Sequence, residues 1–415
     1  MSHGERRGGT GTSPGRVDTA PLSGVRVLDF TRVWAGPLCT RILADLGAEV
    51  IKVEAPGSRR APDAGSGEGP GSARPGSAAA FDSFRKLNRN KQSIAVNLAQ
   101  TEGYALVRQL VAVSDVVVDN FSARVMPGFG LGADALLAIN PGLIVASMPG
   151  FGSTGPYRDY VAYGQAIEPM TGLTSLMGYA GNGPMITGGA YPDPVAGVTT
   201  ACAILTALVH RTRTGKGQFI DVSQTEATIS LLGEYILAHQ ITGELPERMG
   251  NAHPLWSPHG CYACRGEDNW IALAVRNEQE WQALCAVEGL EALRDDPQLQ
   301  DVRVRMAART RLDARIAAWT NERDKFEAMH QLQAAGVPAG AVLTAQEMVE
   351  NPQHQRTGFF IETDDPPFGV IPYPGLPIRF GGARTAPTQR APALGEHGRD
   401  VALDLVGLGT ADLRH

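Results

Sequence analysis

The stretch Leu22–Glu54, LSGVRVLDFTRVWAGPLCTRILADLGAEVIKVE, reads as one complete strand–helix–strand unit. VRVLDF has the apolar run of a buried strand, Pro37 to Leu46 has helical spacing, Gly47 supplies the stop, and AEVIKVE is a second strand. Two strands joined by a helix are parallel neighbours in one sheet. The turn after the first strand carries Arg32, Val33, Trp34, Ala35 and Gly36 in place of the glycine fingerprint that a dinucleotide pyrophosphate needs, so NAD is not expected there.

Working outward, the alternation continues. QSIAVNL is followed by a helix around Ala105 to Val113, DVVVDNF by one at Ala133 to Ile139, and LIVASM leads into PGFGSTG. The expected fold class is α/β, with a Rossmann-like, mostly parallel sheet and helices on both faces. Ligands on such sheets bind beyond the carboxyl ends of the strands, where Arg32 to Gly36, Val96 to Ala99, Asn120 to Arg124 and Pro149 to Gly155 converge on one crevice.

The stretch Gly188–Ser223, GGAYPDPVAGVTTACAILTALVHRTRTGKGQFIDVS, predicts a long helix with Val195, Val198, Cys202, Leu205 and Val209 on its apolar face. Asp193 stands at the cap position, Pro194 at the first helical position, basic residues in the last turns and Gly215 at the stop. QFIDV has strand character, and Ser223 with Glu226 forms a capping pattern before a second helix running to about Gly243. Asp193 has two readings. It is an ordinary helix cap, or a carboxylate kept ionised at a helix start, with Gly188, Gly189 and Ala190 leaving room for a thioester to approach.

Three motifs in order, the Leu22–Glu54 stretch, AYPDPVAG and TGKGQFIDV, give the chain its resemblance to the family III CoA-transferases. The resemblance runs from about Leu22 to APALGEH near the C-terminus. It implies a large Rossmann-like domain, an inserted smaller α+β domain and two chains interlocked as a homodimer. It places the catalytic Asp at Asp193, and the CoA nucleotide against Val33, Trp34, Ala35, Val96, Asn97, Leu98, Ala99, Asn120 and Phe121. Val161 to Gly164, including Tyr163, falls near the pantetheine and the reacting centre. The implied activity moves CoA from a donor acyl-CoA to a carboxylic acid through a covalent aspartyl intermediate; CoA is a substrate, and no metal or redox cofactor is expected. Formyl-CoA transferase has Gln at the position of Trp34, a tetraglycine loop with no counterpart here, and an Arg that falls on Gly128, with Arg124 as its substitute. Two rivals are an α-methylacyl-CoA racemase, which would need a His and Asp pair that AYGQAIE does not supply, and a non-catalytic acyl-CoA binder.

The 415 residues, 43% hydrophobic and 19% charged, suffice for two domains and a large core. A net charge of -6 argues against nucleic acid as a partner. No apolar run suggests a membrane span, and five cysteines suit a reducing, cytoplasmic setting. Cys261 and Cys264 form a C-x-x-C pair without a second pair, and read as ordinary strand residues; His253 and His259 are weaker candidates for substrate contacts. The expected layout is a disordered tail at 1–20, the large domain at 21–222, a linker helix and loop at 223–255, a small domain at 256–336, and a return to the large domain at 337–415. The Gly, Ser and Pro-rich stretch Ala55 to Ala80 reads as a mobile surface loop, whose Arg59, Arg60 and Arg74 are read first as solvated charges and second as a phosphate clamp.

Overall fold

A computed structural model of the chain describes residues 20–58, 84–366, 368–385 and 389–407. The tail before Ala20, and Arg59, Arg60 and Arg74, lie outside these residues. The chain forms two units. One is built from the segments up to Thr171, Thr187–Gly233 and Arg356 onward; the other from Gly172–Ile186 and Glu234–Gln355.

Among the described residues, the main sheet of the first unit has six strands, β1 (Arg26–Asp29), β2 (Glu49–Glu54), β3 (Lys91–Ala95), β4 (Val116–Asp119), β5 (Ile144–Ser147) and β6 (Gln218–Asp221), one for each strand read from the sequence. Every pairing within this sheet is parallel, in the order β3-β2-β1-β4-β5-β6. Chain direction across the sheet therefore reverses between β1 and β4, and the crevice of such a sheet opens at that point.

Alternation along the strands divides the core in two. Val27, Val50, Val116 and Ile144 face a layer that contains α1 (Ala35–Asp45), whereas Leu28, Ile51, Val117 and Val145 face α2 (Thr101–Ala112) and α3 (Ala133–Ile139). Burial of each such side chain contributes roughly 1.5–3 kcal/mol. Three further helices complete the part that concerns the site: α4 (Gly164–Met170), α5 (Pro192–Thr214) and α6 (Gln224–Ile229). Ser223 caps α6, its side chain accepting from Glu226 N as the sequence pattern predicts.

The buried face of α5 differs from the expected one. Val198 and Val209 are 55% and 54% exposed and Cys202 is exposed, while Ala196, Gly197, Thr200, Ala201, Ile204 and Ala207 are buried. Small side chains win because α1 and α5 approach so closely: a Cβ on Gly197 would stand 2.6 Å from the Ala35 carbonyl. By length and composition α5 is also apolar enough to cross a bilayer, contrary to the sequence reading, yet here it packs on α1 in the core of the unit.

The C-terminal segment returns to the edge of this sheet, where His397 N donates to Ser93 O and Gly395 N to Ser93 Oγ. The second unit is α+β, with β7 (His259–Ala263), β8 (Trp270–Ala274) and β9 (Ala339–Ala341) antiparallel in one sheet. Trp281, Leu284, Ile316, Leu332 and Cys264 fill its core. Cys261 and Cys264 are both free thiols, and His253 stacks on Trp256 at 3.8 Å between ring centroids.

Candidate active site

The reversal point is braced from below. Asp29, at the end of β1, is fully buried and accepts hydrogen bonds from Thr31 N and Oγ1, Thr40 Oγ1 and Lys91 Nζ. Burial alone would raise its pKa; the charges of Lys52 and Lys91 and the two threonine hydroxyls overcome that and hold it at about 2. From above, the Asn120 side chain clamps the turn after β1 with both ends of its amide. Oδ1 accepts from Arg32 N and Nδ2 donates to Arg32 O, both at 2.8 Å. Between these anchors Val33 adopts φ 67° and is 66% exposed, a conformation disfavoured for a β-branched residue and stored by the surroundings.

The strained turn delivers Ala35, the first residue of α1. Trp34 precedes it without capping the helix through its side chain. The N–H that the start of α1 leaves without an intrahelical partner is taken by Asp193, whose Oδ1 accepts from Ala35 N at 3.2 Å. This corrects the capping expectation. α5 begins at Pro192, so Asp193 lies within its first turn, and its carboxylate bonds across to another helix.

Asp193 is 7% exposed, and burial pushes its pKa up to about 6 despite the Ala35 hydrogen bond. Its second oxygen lies over Gly164, the first residue of α4: a Cβ there would come 1.8 Å from Oδ2 and 2.8 Å from Ala190 Cβ. Only glycine leaves that oxygen in place. The loop before Asp193 is held by Glu168 of α4, which accepts from Thr187 N at 2.7 Å and Thr187 Oγ1 at 2.5 Å. Ala190 completes the loop at φ 44°, a second strained residue close to the carboxylate.

The other expected contacts divide into two groups. Val33, Trp34, Ala35 and Asn120 gather around the Asp193 turn, and Tyr163 stands exposed immediately before Gly164. Val96, Asn97, Leu98 and Ala99 follow β3 at the sheet edge, with β2 between them and β1. The Val96 side chain is buried in the core, Leu98 and Phe121 pack against that core, and Asn97 Oδ1 accepts from Ala99 N. Arg124 lines a separate cavity of about 490 Å³ with Asp119, Ser122, Ser147 and Arg158. His253 and His259 belong to the second unit, where His259 Nδ1 bonds to Asn251 O.

Glu168 and Lys86 escaped the sequence reading, and Gly164 entered it only as the end of the Val161 to Gly164 stretch. Lys86 Nζ stands 5.0 Å from the centroid of the Trp34 ring. Glu168 and Lys86 resemble any surface charge in sequence, whereas Gly164 carried a signal as the glycine opening a helix after Tyr163.

Against known proteins, the model of CoA-transferase family III matches residues 22–398. The chain belongs to CoA-transferase family III. It is 35% identical over 391 residues to the succinate–glutarate CoA-transferase of Agrobacterium fabrum, covering 93% of this chain and 96% of that one. It is 35% identical over 408 residues to the succinyl-CoA–D-citramalate CoA-transferase of Chloroflexus aurantiacus, covering 95% and 96%. Among solved structures, a CaiB/BaiF family protein from Brucella suis superposes with a TM-score of 0.81 at 34% identity, over 93% of this chain and 99% of that one. This family III CoA-transferase thus has Asp193 buried at the switch point of its sheet, braced by α1, α4 and α5.

Proposed function

We propose that this enzyme moves CoA from a donor acyl-CoA to an acceptor carboxylic acid with Asp193 as the nucleophile. The observation that carries the reading is the division of labour between the two carboxylate oxygens: Ala35 N–H holds Oδ1, and Oδ2 stands over a residue without a side chain.

Oδ2 attacks the thioester carbonyl carbon, the C–S bond breaks, and a mixed anhydride and CoA thiolate result. The thiolate then attacks the aspartyl carbonyl and releases the donor acid, leaving an aspartyl-CoA thioester. The acceptor carboxylate attacks that thioester, and the returning thiolate attacks the new acyl carbonyl to regenerate Asp193. In each step at the aspartyl carbon, negative charge develops on an oxygen held by the Ala35 N–H at the positive end of α1. The racemase alternative finds no support here, because among the described residues the polar contacts of Asp193 include no histidine.

Dicarboxylic substrates are part of the proposal, in keeping with the names of the Agrobacterium and Chloroflexus relatives. So is a homodimer, supported by the exposed apolar stripe Val198, Cys202 and Val209 on α5, and expected at about twice the 44.0 kDa chain mass in solution. The function is tested by incubating the protein with succinyl-CoA and a panel of carboxylic acids and following new thioesters by mass spectrometry. New acyl-CoA with release of succinate supports transfer; free CoA alone, or no reaction with any acid, contradicts it.

A further inference from the structure

We infer that Lys86, standing on the indole of Trp34, receives the distal carboxylate of a dicarboxylic acyl group and so selects dicarboxylates at this site. The inference rests on the transferase reading of Asp193 and adds a residue that reads the substrate.

Position is the first argument. Lys86 Nζ lies 5.0 Å from the Trp34 ring centroid. The far edge of that ring, Cη2, is 4.0 Å from where a Cβ on Gly189 would stand, in the loop leading to Asp193. The residue after Trp34 binds the Asp193 carboxylate through its N–H. Ammonium, indole and the loop of the reacting carboxylate are thus a row of successive neighbours, and the inferred pose lays the acyl chain along Trp34 with Lys86 at its far end. Gly188 and Gly189 bring no side chains into that space.

Charge is the second argument. Arg89 engages Asp45 with two bonds, at 3.1 and 2.7 Å, and Arg41 Nε lies 3.8 Å from the same carboxylate. Arg41 Nη1 also reaches the Lys86 carbonyl at 3.5 Å. Three cations therefore gather where Asp45 is the paired carboxylate, and among the described residues no acidic group pairs with Lys86 Nζ. Burial first, and Arg41 second, lower the Lys86 pKa, so an arriving anion relieves an unfavourable charge. A CoA phosphate is the other anion that could arrive, but the row of groups leading from Asp193 favours the acyl carboxylate.

The test compares binding of glutaryl-CoA and butyryl-CoA, which share every phosphate and differ by the distal carboxylate. Wild type should bind glutaryl-CoA about tenfold or more tightly. The ratio should fall to near one in Lys86→Met and be largely restored in Lys86→Arg, with melting monitored for each. Equal weakening of both thioesters in Lys86→Met would assign Lys86 to a phosphate and overturn the inference, as would an unchanged ratio. Because binding needs no turnover, CoA exchange measured in parallel on the wild type separates the two ideas. Charge discrimination without transfer counts against Asp193 chemistry alone, and transfer without discrimination counts against Lys86 alone.

Discussion

Asp193 Oδ1 accepts a hydrogen bond from the backbone N–H of Ala35 across 158 positions of sequence, joining the first turn of α5 to the first residue of α1. The carboxylate serves one helix as a cap while sitting in the first turn of another. Both helix starts therefore place their positive ends beside one buried oxygen pair.

The state of that carboxylate sets a pH dependence. With its pKa raised by burial to about 6, Asp193 contributes stability that is fully present below the unfolded value of 3.8 and is lost as pH rises through 6. The nucleophile is the ionised form, so kcat/KM should rise through about pH 6 and level off above it. Asp193→Asn keeps an oxygen for Ala35 and carries no charge. It should melt higher than wild type at pH 8, by an amount corresponding to at most about 3 kcal/mol, and the gap should shrink to roughly half by pH 5. A variant that melts lower at pH 8 would mean that the buried charge is not penalised.

Gly164 should tolerate no side chain. Gly164→Ala places a Cβ where Asp193 Oδ2 stands, and the resulting displacement should lower kcat/KM by about 100-fold or more. The expected stability cost is about 1–3 kcal/mol, read from denaturant unfolding. Near-normal turnover in a folded Gly164→Ala protein would contradict the position assigned to Oδ2.

Asn120→Ala removes both bonds that hold Arg32. The strained turn at Val33 should relax, and exchange of the Arg32 amide hydrogen should quicken by about tenfold or more, since a bond of about 1–3 kcal/mol is lost. Val118, within the buried β4, should exchange as before. Equal acceleration at both amides would point to general destabilisation.

Much of the sheet was legible because a buried parallel strand declares itself as a short apolar run, and β1, β2, β4 and β5 each carry one around Val27–Leu28, Val50–Ile51, Val116–Val118 and Ile144–Ala146. The packing of α5 was not, because its largest apolar side chains drew the eye to the exposed face, and close approach to α1 selects Ala196, Gly197 and Ala201. Asp193 stood out through its Pro and Gly neighbours, yet its hydrogen-bond partner lies on a distant segment that no local spacing reveals. Lys86 and Glu168 act through tertiary position, which composition does not encode.

The central claim is covalent chemistry at Asp193, and mass spectrometry of the enzyme trapped during turnover tests it most directly. Wild type mixed with succinyl-CoA and digested under mildly acidic conditions should yield the Asp193 peptide carrying CoA, with the adduct removed by hydroxylamine and absent from Asp193→Asn. CoA transfer at wild-type rate by folded Asp193→Asn, or a hydroxylamine-labile adduct on a different residue, would contradict the account.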